Sequence, residues 1–363
     1  MSLKVRRFRT HVKTAVASAL AKAYDRGLAG PRGTTYRPLV VGYHRVVEDF
    51  ASEAKVEMPS MLTGLAMFQQ HLDCLGQYFR FVSLDDIGDR LLNGLSFDEP
   101  VAAVTFDDGY RDVYELALPL LERKGIPAAM FVVTDLVGQP AWQVHDKLYH
   151  LVAKAFRRWD DPRSKFADLL GELGLPAHDF VRRSVTATPM TAVSALLPAL
   201  PQSDIRRLMT GLESSVGNGF HNVPLTVTWE MIADMRRRGF IIGSHTRKHV
   251  SLPVESRERA RVEIEQSKFD LEHHLGERVD HFAYPGGHFN ADIVDDVARA
   301  GYRFAYTACC HDDPRHPLLT MQRLLLWEGS SVNGEGEFTP DILSCQAHHL
   351  WPPAWKCERV HQA

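Results

Sequence analysis

Seven short apolar runs punctuate the chain: Leu39–Tyr43, Ala102–Phe106, Ala128–Val133, Phe240–Gly243, Phe282–Tyr284, Phe304–Thr307 and Leu324–Trp327. Each is continuous or nearly continuous, the pattern of strands covered on both faces rather than on one. Helical spacing fills many of the intervals. Met67–Tyr78 sets Phe68, Leu72, Leu75 and Phe79 on one face, and Val113–Arg123 does the same with Leu116, Leu120 and Leu121 before Gly125-Ile126-Pro127 stops it. Helices are also expected over Trp229–Arg238, Ser256–Leu275 and Ala291–Ala300, the last ending at a glycine, Gly301, in the C-cap position. Strand alternating with helix predicts a parallel α/β fold, and seven such units nearly close a barrel.

Two regions break this rhythm. Residues 139–225 carry no convincing strand and have helical patterning, with loops around Asp160–Arg163, Leu175–His178 and Val216–Pro224. A structureless loop of that length is improbable in a compact domain, so a helical insertion over one face of the barrel is expected. Residues 331–363, rich in Gly, Pro, Trp and His, read as an irregular tail. The domain reading is therefore a basic amphipathic helix within residues 1–36, a distorted (β/α)7-type barrel over 37–330 that contains the insertion, and the tail.

The N-terminal helix is read from Val5, Phe8, Val12, Val16 and Leu20 at helical spacing, with Lys4, Arg6, Arg7, Arg9 and Lys13 between and around them. It either packs on the domain or holds weakly to an anionic membrane surface. An export signal is the lesser reading, because the apolar part is short and Lys22 closes it off. No run approaches the roughly 20 apolar residues of a membrane span. A cytoplasmic protein, peripheral to the membrane at most, is the expectation.

Composition narrows the classes further. The 363 residues are 45% hydrophobic and 24% charged, as in ordinary globular proteins, and the net charge of −3 gives no sign of nucleic-acid binding. The cysteines Cys74, Cys309, Cys310, Cys345 and Cys357 lack metal-type spacing and are read as reduced thiols.

Chemistry gathers at the ends of the proposed strands. His44 follows the first, Asp107-Asp108-Gly109 the second, His245 and His249 the fourth, and Tyr284-Pro285-Gly286-Gly287 the fifth. In parallel α/β barrels the site is assembled at that end. Singly, these signals are weak: 18 histidines produce roughly one H-x3-H pair by chance. Of the five double aspartates, though, Asp107-Asp108 alone follows a fully apolar run, and a charge pair there is costly unless paired or metal-bound. Two imidazoles and a carboxylate leave an ion an open position for water and substrate, and an adjacent carboxylate can take the water's proton.

At these residues the sequence resembles the polysaccharide deacetylases, the NodB-like carbohydrate esterase family 4. Thr105-Phe106-Asp107-Asp108-Gly109-Tyr110 matches that family's first motif, Ser244-His245-Thr246-Arg247-Lys248-His249 its second, and Phe282-Ala283-Tyr284-Pro285-Gly286-Gly287 is similar to its third. The resemblance implies Asp107 as general base and Asp108, His245 and His249 as ligands of zinc, with cobalt or nickel able to serve. It also implies the backbone N–H of Gly286 as an oxyanion donor. Tyr43-His44-Arg45-Val46 resembles the opening motif of the poly-N-acetylglucosamine deacetylase branch, which implies His44 as general acid; the alternative is that His44 merely caps its strand. Tyr110, Tyr284 and Pro285 are expected to touch substrate.

The departures are specific. Ala283 stands where the family's third motif often has an Arg that pairs with the catalytic Asp, so another group must orient Asp107, or none does. Gly286 stands where Tyr or Phe is common, which widens the pocket. No late Leu-x-His motif is evident, leaving His348 and His349 as candidates by default. Trp142 and Asp146 resemble a Trp–Asp–Lys element of some bacterial members, with anchoring as the expected role.

The implied reaction is removal of N-acetyl groups from amino sugars of a polysaccharide or a lipid-linked precursor. The same residues would serve an O-acetyl esterase or a deformylase. A catalytically inactive carbohydrate-binding protein is the non-enzyme reading, and the complete Asp-Asp and His-His set argues against it.

Overall fold

In the computed structural model, which describes residues 14–24, 36–175, 188–217 and 225–350, the apolar runs form one sheet. Its path strands are β1 (Leu39–Tyr43), β2 (Val101–Phe106), β3 (Ala128–Val132), β4 (Ile241–Ser244), β5 (His281–Ala283), β6 (Phe304–Thr307), β7 (Met321–Gln322) and β8 (Leu324–Leu325). All pair in parallel, in the order β7-β6-β5-β4-β3-β2-β1-β8, with the short strand Arg80–Phe81 added beside β2. Only Arg323 separates β7 from β8. The last apolar run thus pairs first with β6 and then with β1, and the sheet returns on itself as a nearly closed, distorted barrel.

Every residue of β1 to β6 is buried, which is why these runs lack alternation in the sequence. Alternate side chains still point to opposite faces. Val40, Ala103, Ala129, Phe131, Ile241 and Phe304 form an inner cluster. Val41, Val104, Phe106, Met130, Ile242 and Phe282 belong to the larger core beneath the outer helices. Small residues make the inner packing possible: a Cβ on Gly243 would lie 2.7 Å from the Phe131 ring and 2.9 Å from the His281 carbonyl oxygen.

The outer helices follow their predicted faces. Leu65–Leu75 buries Phe68, Leu72 and Leu75, and Arg257–Leu275 is capped by Ser256, whose hydroxyl accepts from the Arg259 N–H. The helix expected over Val113–Arg123 opens with one wide turn, Val113–Ala117, and becomes regular at Leu118–Lys124; Pro119, lacking an N–H, sits at that transition.

The expected insertion, in its described residues, is built of helices joined by short turns. Helices α1 (Val144–Arg158), α2 (Pro162–Glu172), α3 (Pro189–Leu196) and α4 (Gln202–Val216) share a core of their own, with Leu151, Phe166, Leu170, Val193, Leu196, Leu208 and Leu212 at its centre. Parts of the predicted loops at Leu175–His178 and Val216–Pro224 lie outside the described residues.

The tail needs correction. Residues 331–363 are not irregular throughout, because Pro340–Ala347 is a helix that buries Ile342, Leu343, Cys345 and Ala347. It packs beside Leu65–Leu75, and Ile342 and Cys345 also hold Ala17 and Ala21 of the helical residues 14–24. That contact favours the docked reading of the N-terminal helix for its described part; Val5, Phe8 and Val12 lie outside the described residues. Cys74, Cys309, Cys310 and Cys345 are free thiols, and Cys357 lies beyond the described chain. Among the described residues no helix is long and apolar enough to cross a membrane.

Candidate active site

The register of β1 and β2 pairs Tyr43 with Phe106, so the next residues, His44 and Asp107, leave the sheet side by side. Both belong to the inward-facing rows, two residues beyond Gly42 and Thr105. The Asp107 N–H still donates to the Tyr43 carbonyl at 2.9 Å. Two strands further round, β4 pairs Ser244 with Val132 of β3, and His245 continues the inward row, its N–H donating to the Val132 carbonyl at 2.9 Å.

After Asp107 the backbone turns sharply. Asp108 and Gly109 have φ of 70° and 69°, and Thr246 and His249 have φ of 64° and 54°. Among the described residues these three are joined by a single other non-glycine residue with positive φ, His349. Non-glycine residues rarely adopt this conformation, which costs of order 1–3 kcal/mol each and is held where surrounding structure demands it. Here the strain aims Asp108 and His249 at His245.

Asp108 Oδ1 lies 3.7 Å from His245 Nε2 and 3.3 Å from His249 Nε2, and one ligand atom from each of the three falls within 4.8 Å of the others. Donors on a tetrahedral zinc-type ion stand roughly 3.3 Å apart, so the spacing suits one ion. The His245 Nδ1 lies 2.8 Å from the Ala283 carbonyl oxygen, to which its N–H donates. That bond selects the tautomer with a free lone pair on Nε2, the usual support for a ligating histidine. Burial holds both imidazoles below their ordinary pKa, His249 strongly so, and they are neutral. Both carboxylate oxygens of Asp108 are buried without a hydrogen-bond partner. Burial, with Asp107 and Asp146 nearby, pushes Asp108 well above the ordinary carboxylate range. An orphaned buried carboxylate beside two neutral imidazoles fits a divalent cation.

Asp107 has a different environment. Its burial is outweighed by Arg323, then by His245 and His44, and its pKa falls to about 2. Arg323, at the break between β7 and β8, donates from Nη1 to Oδ1 and from Nη2 to Oδ2, each at 2.7 Å. It is the partner that Ala283 could not supply. The sequence reading missed it, although an arginine immediately before the apolar run Leu324–Trp327 was the available signal. His44 Nε2 stands 4.0 Å from Asp107 Oδ2; burial lowers its pKa to about 4, against the pull of Asp107. His44 therefore faces the site rather than merely ending its strand.

His145 was also missed. It comes from the first turn of α1, next to Asp146, and its Nε2 is 3.6 Å from Asp108 Oδ2. The Tyr110 hydroxyl bridges the two neighbours, donating to Asp146 Oδ2 at 2.7 Å and lying 2.8 Å from His145 Nε2. Asp146 thus anchors the insertion to the barrel, as expected. Trp142 packs edge-on against His150, with ring centroids 4.8 Å apart.

Two expected substrate contacts are corrected. Tyr110 and Tyr284 are each 0% exposed. The Tyr110 hydroxyl is occupied by His145 and Asp146, and that of Tyr284 donates to the Leu319 carbonyl at 2.9 Å. Both rings belong to the large core, with no exposed face to offer a ligand. Pro285 and Gly286, in contrast, line an open cleft together with His249. His348 packs against Tyr78 and Phe79, in the cluster around the C-terminal helix and not among the site residues.

A parallel α/β barrel whose strand ends bring two aspartates and two histidines together defines a hydrolase-type barrel enzyme. Residues 95–305 match the polysaccharide deacetylase family model, and the chain belongs to that family. It is an enzyme acting on acetylated carbohydrate. Three solved structures share the fold over most of the chain. The Streptococcus pyogenes deacetylase PplD, solved with acetate, is 17% identical with a TM-score of 0.53 over 86% of this chain and 99% of its own. IcaB from Ammonifex degensii is 19% identical with a TM-score of 0.50, over 88% and 100%. A de-N-acetylase from Aggregatibacter actinomycetemcomitans is 17% identical with a TM-score of 0.51, over 84% and 97%. No curated protein sequence matches the chain.

Proposed function

We propose that this chain is a metal-dependent hydrolase that removes N-acetyl groups from amino sugars of a polysaccharide or lipid-linked glycan. The observation that carries the reading is the pair of unlike carboxylates: Asp108, orphaned beside two neutral imidazoles, and Asp107, held ionised by Arg323. Adjacent in sequence, they are fitted for different tasks, ion binding and proton transfer.

Asp108, His245 and His249 would hold a zinc-type ion, which when bound supplies the Lewis acidity that polarises the acyl carbonyl and acidifies water. Asp107 takes the proton of the attacking water as its oxygen adds to the acyl carbon. Arg323 keeps that carboxylate ionised and fixes its plane by the two-point contact. The Gly286 N–H is the candidate donor to the developing oxyanion. His44, neutral at rest, stands close enough to Asp107 for a proton gathered there to be passed to the leaving amine. The C–N bond then breaks, releasing acetate and the free amino sugar.

We place the reaction on the cytoplasmic side, near the membrane, a reading supported by the basic residues between Lys4 and Lys13. The deciding experiment is mass analysis of N-acetylated, O-acetylated and N-formylated amino sugars, free and lipid-linked, after incubation with zinc-loaded protein. Loss of acetyl from nitrogen is expected. Turnover of the O-acetyl or N-formyl compounds alone would replace this reading.

A further inference from the structure

The helical insertion does more than cover the barrel. Between α3 and α4 the chain crosses the catalytic mouth, and Leu197 and Leu200 from this turn, with Ile205 of α4, join Val144 of α1 in lining an open-sided cleft with about 70 Å³ of water-accessible room. The opposite wall is made by His249 and Gly286. One is a candidate ion ligand and the other the candidate oxyanion donor, so the cleft begins where the reacting carbonyl must sit.

That carbonyl has two substituents. The nitrogen leads to a sugar whose hydroxyls need hydrogen-bond partners; the lining is mostly hydrocarbon, with Gln202, Ser251 and His288 as its polar members beside His249, and so offers few of them. The acyl carbon leads to hydrocarbon. A methyl group takes roughly the place of one water, which needs about 10–15 Å³ of such room, so acetyl would leave most of the cleft unfilled. The corner nearest the carbonyl is kept open by a glycine: a Cβ on Gly286 would meet the ring of His288, also in the lining, at 3.1 Å.

We propose that the cleft receives the hydrocarbon portion of acyl groups longer than acetyl, making amino sugars N-acylated with short and medium fatty chains substrates of this site. The proposal rests on the amide-hydrolase reading above. The chemistry is unchanged: the water oxygen bonds to the acyl carbon, the C–N bond breaks, the fatty acid departs, and the amine nitrogen takes a proton.

The test is a chain-length series on the full-length, zinc-loaded protein, following amine release from N-acetyl, N-butanoyl, N-hexanoyl and N-octanoyl glucosamine. kcat/KM is expected to rise by about fourfold per methylene until the cleft is full, the yield of burying one such group. Leu197→Trp, which fills the cleft, should lower the hexanoyl-to-acetyl ratio of kcat/KM by at least about tenfold. Product inhibition by acetate, butanoate and hexanoate on the unmodified protein reads the same cleft without a variant, and should tighten with length. Cleavage of acetyl with a steep fall at butanoyl, and no tightening among the carboxylates, overturns the proposal while leaving the deacetylase reading intact. If no amide in the series is cleaved, acetyl included, the hydrolase reading fails and this proposal with it.

Discussion

The guanidinium of Arg323 meets the carboxylate of Asp107 at two points, Nη1 on Oδ1 and Nη2 on Oδ2, each at 2.7 Å, across 216 residues of sequence. Both side chains are buried, and Arg323 also donates to the Thr105 hydroxyl at 3.2 Å. Removing one partner of such a pair leaves an uncompensated buried charge. Arg323→Met is therefore expected to lower kcat by about a hundredfold and stability by about 3–5 kcal/mol, with ion content retained. Arg323→Lys should recover the charge but not the two-point geometry, and so only part of the rate. Kinetics, metal analysis and denaturant unfolding measure these effects; native kcat in Arg323→Met would show that Asp107 needs no orienting partner.

Asp107→Asn keeps the shape and removes the proton acceptor. Turnover should fall by about 10²- to 10⁴-fold while zinc stoichiometry stays at that of the unaltered protein. Near-native turnover would reassign the base.

Asp108→Ala and His245→Ala should behave in the opposite way, losing bound zinc as well as activity. Chelation of the unaltered protein followed by zinc repletion should switch turnover off and on. Unchanged metal content in either variant removes that residue from the ligand set.

If His44 delivers a proton to the departing amine, its loss must depend on the leaving group. His44→Gln should slow amide hydrolysis by about 10²-fold or more but spare an activated acetate ester, whose leaving phenolate needs no proton. Equal losses on both substrates would point to a positioning role for His44.

Tyr110→Phe tests whether this phenol serves the core and not the substrate. The substitution takes the shared partner from His145 and Asp146, both buried, and should cost about 1–3 kcal/mol of stability with KM nearly unchanged. A raised KM at full stability would restore the expected role of Tyr110 in substrate contact.

Much of this arrangement was legible along the chain. A strand buried on both faces must be apolar at every position, so six barrel strands could be located within a residue or two, and the polar groups just past their ends stood out against that background. His44, Asp107, Asp108, His245 and His249 were found in this way, because strand direction alone carries them to the same rim. The insertion was visible as the one long stretch with helical and no strand patterning.

What the chain could not disclose by local pattern was pairing across the barrel. Arg323 stands just before the seventh apolar run, and nothing beside it in sequence says that its side chain turns inward to Asp107; closure of β7 and β8 onto opposite neighbours decides that. Tyr110 carries the same ambiguity, since a phenol after a catalytic motif suits substrate or core equally well until α1 brings His145 and Asp146 against it. Local periodicity is a property of neighbours three or four residues apart. Partnership between charged groups is a property of surfaces that meet only once the barrel has closed.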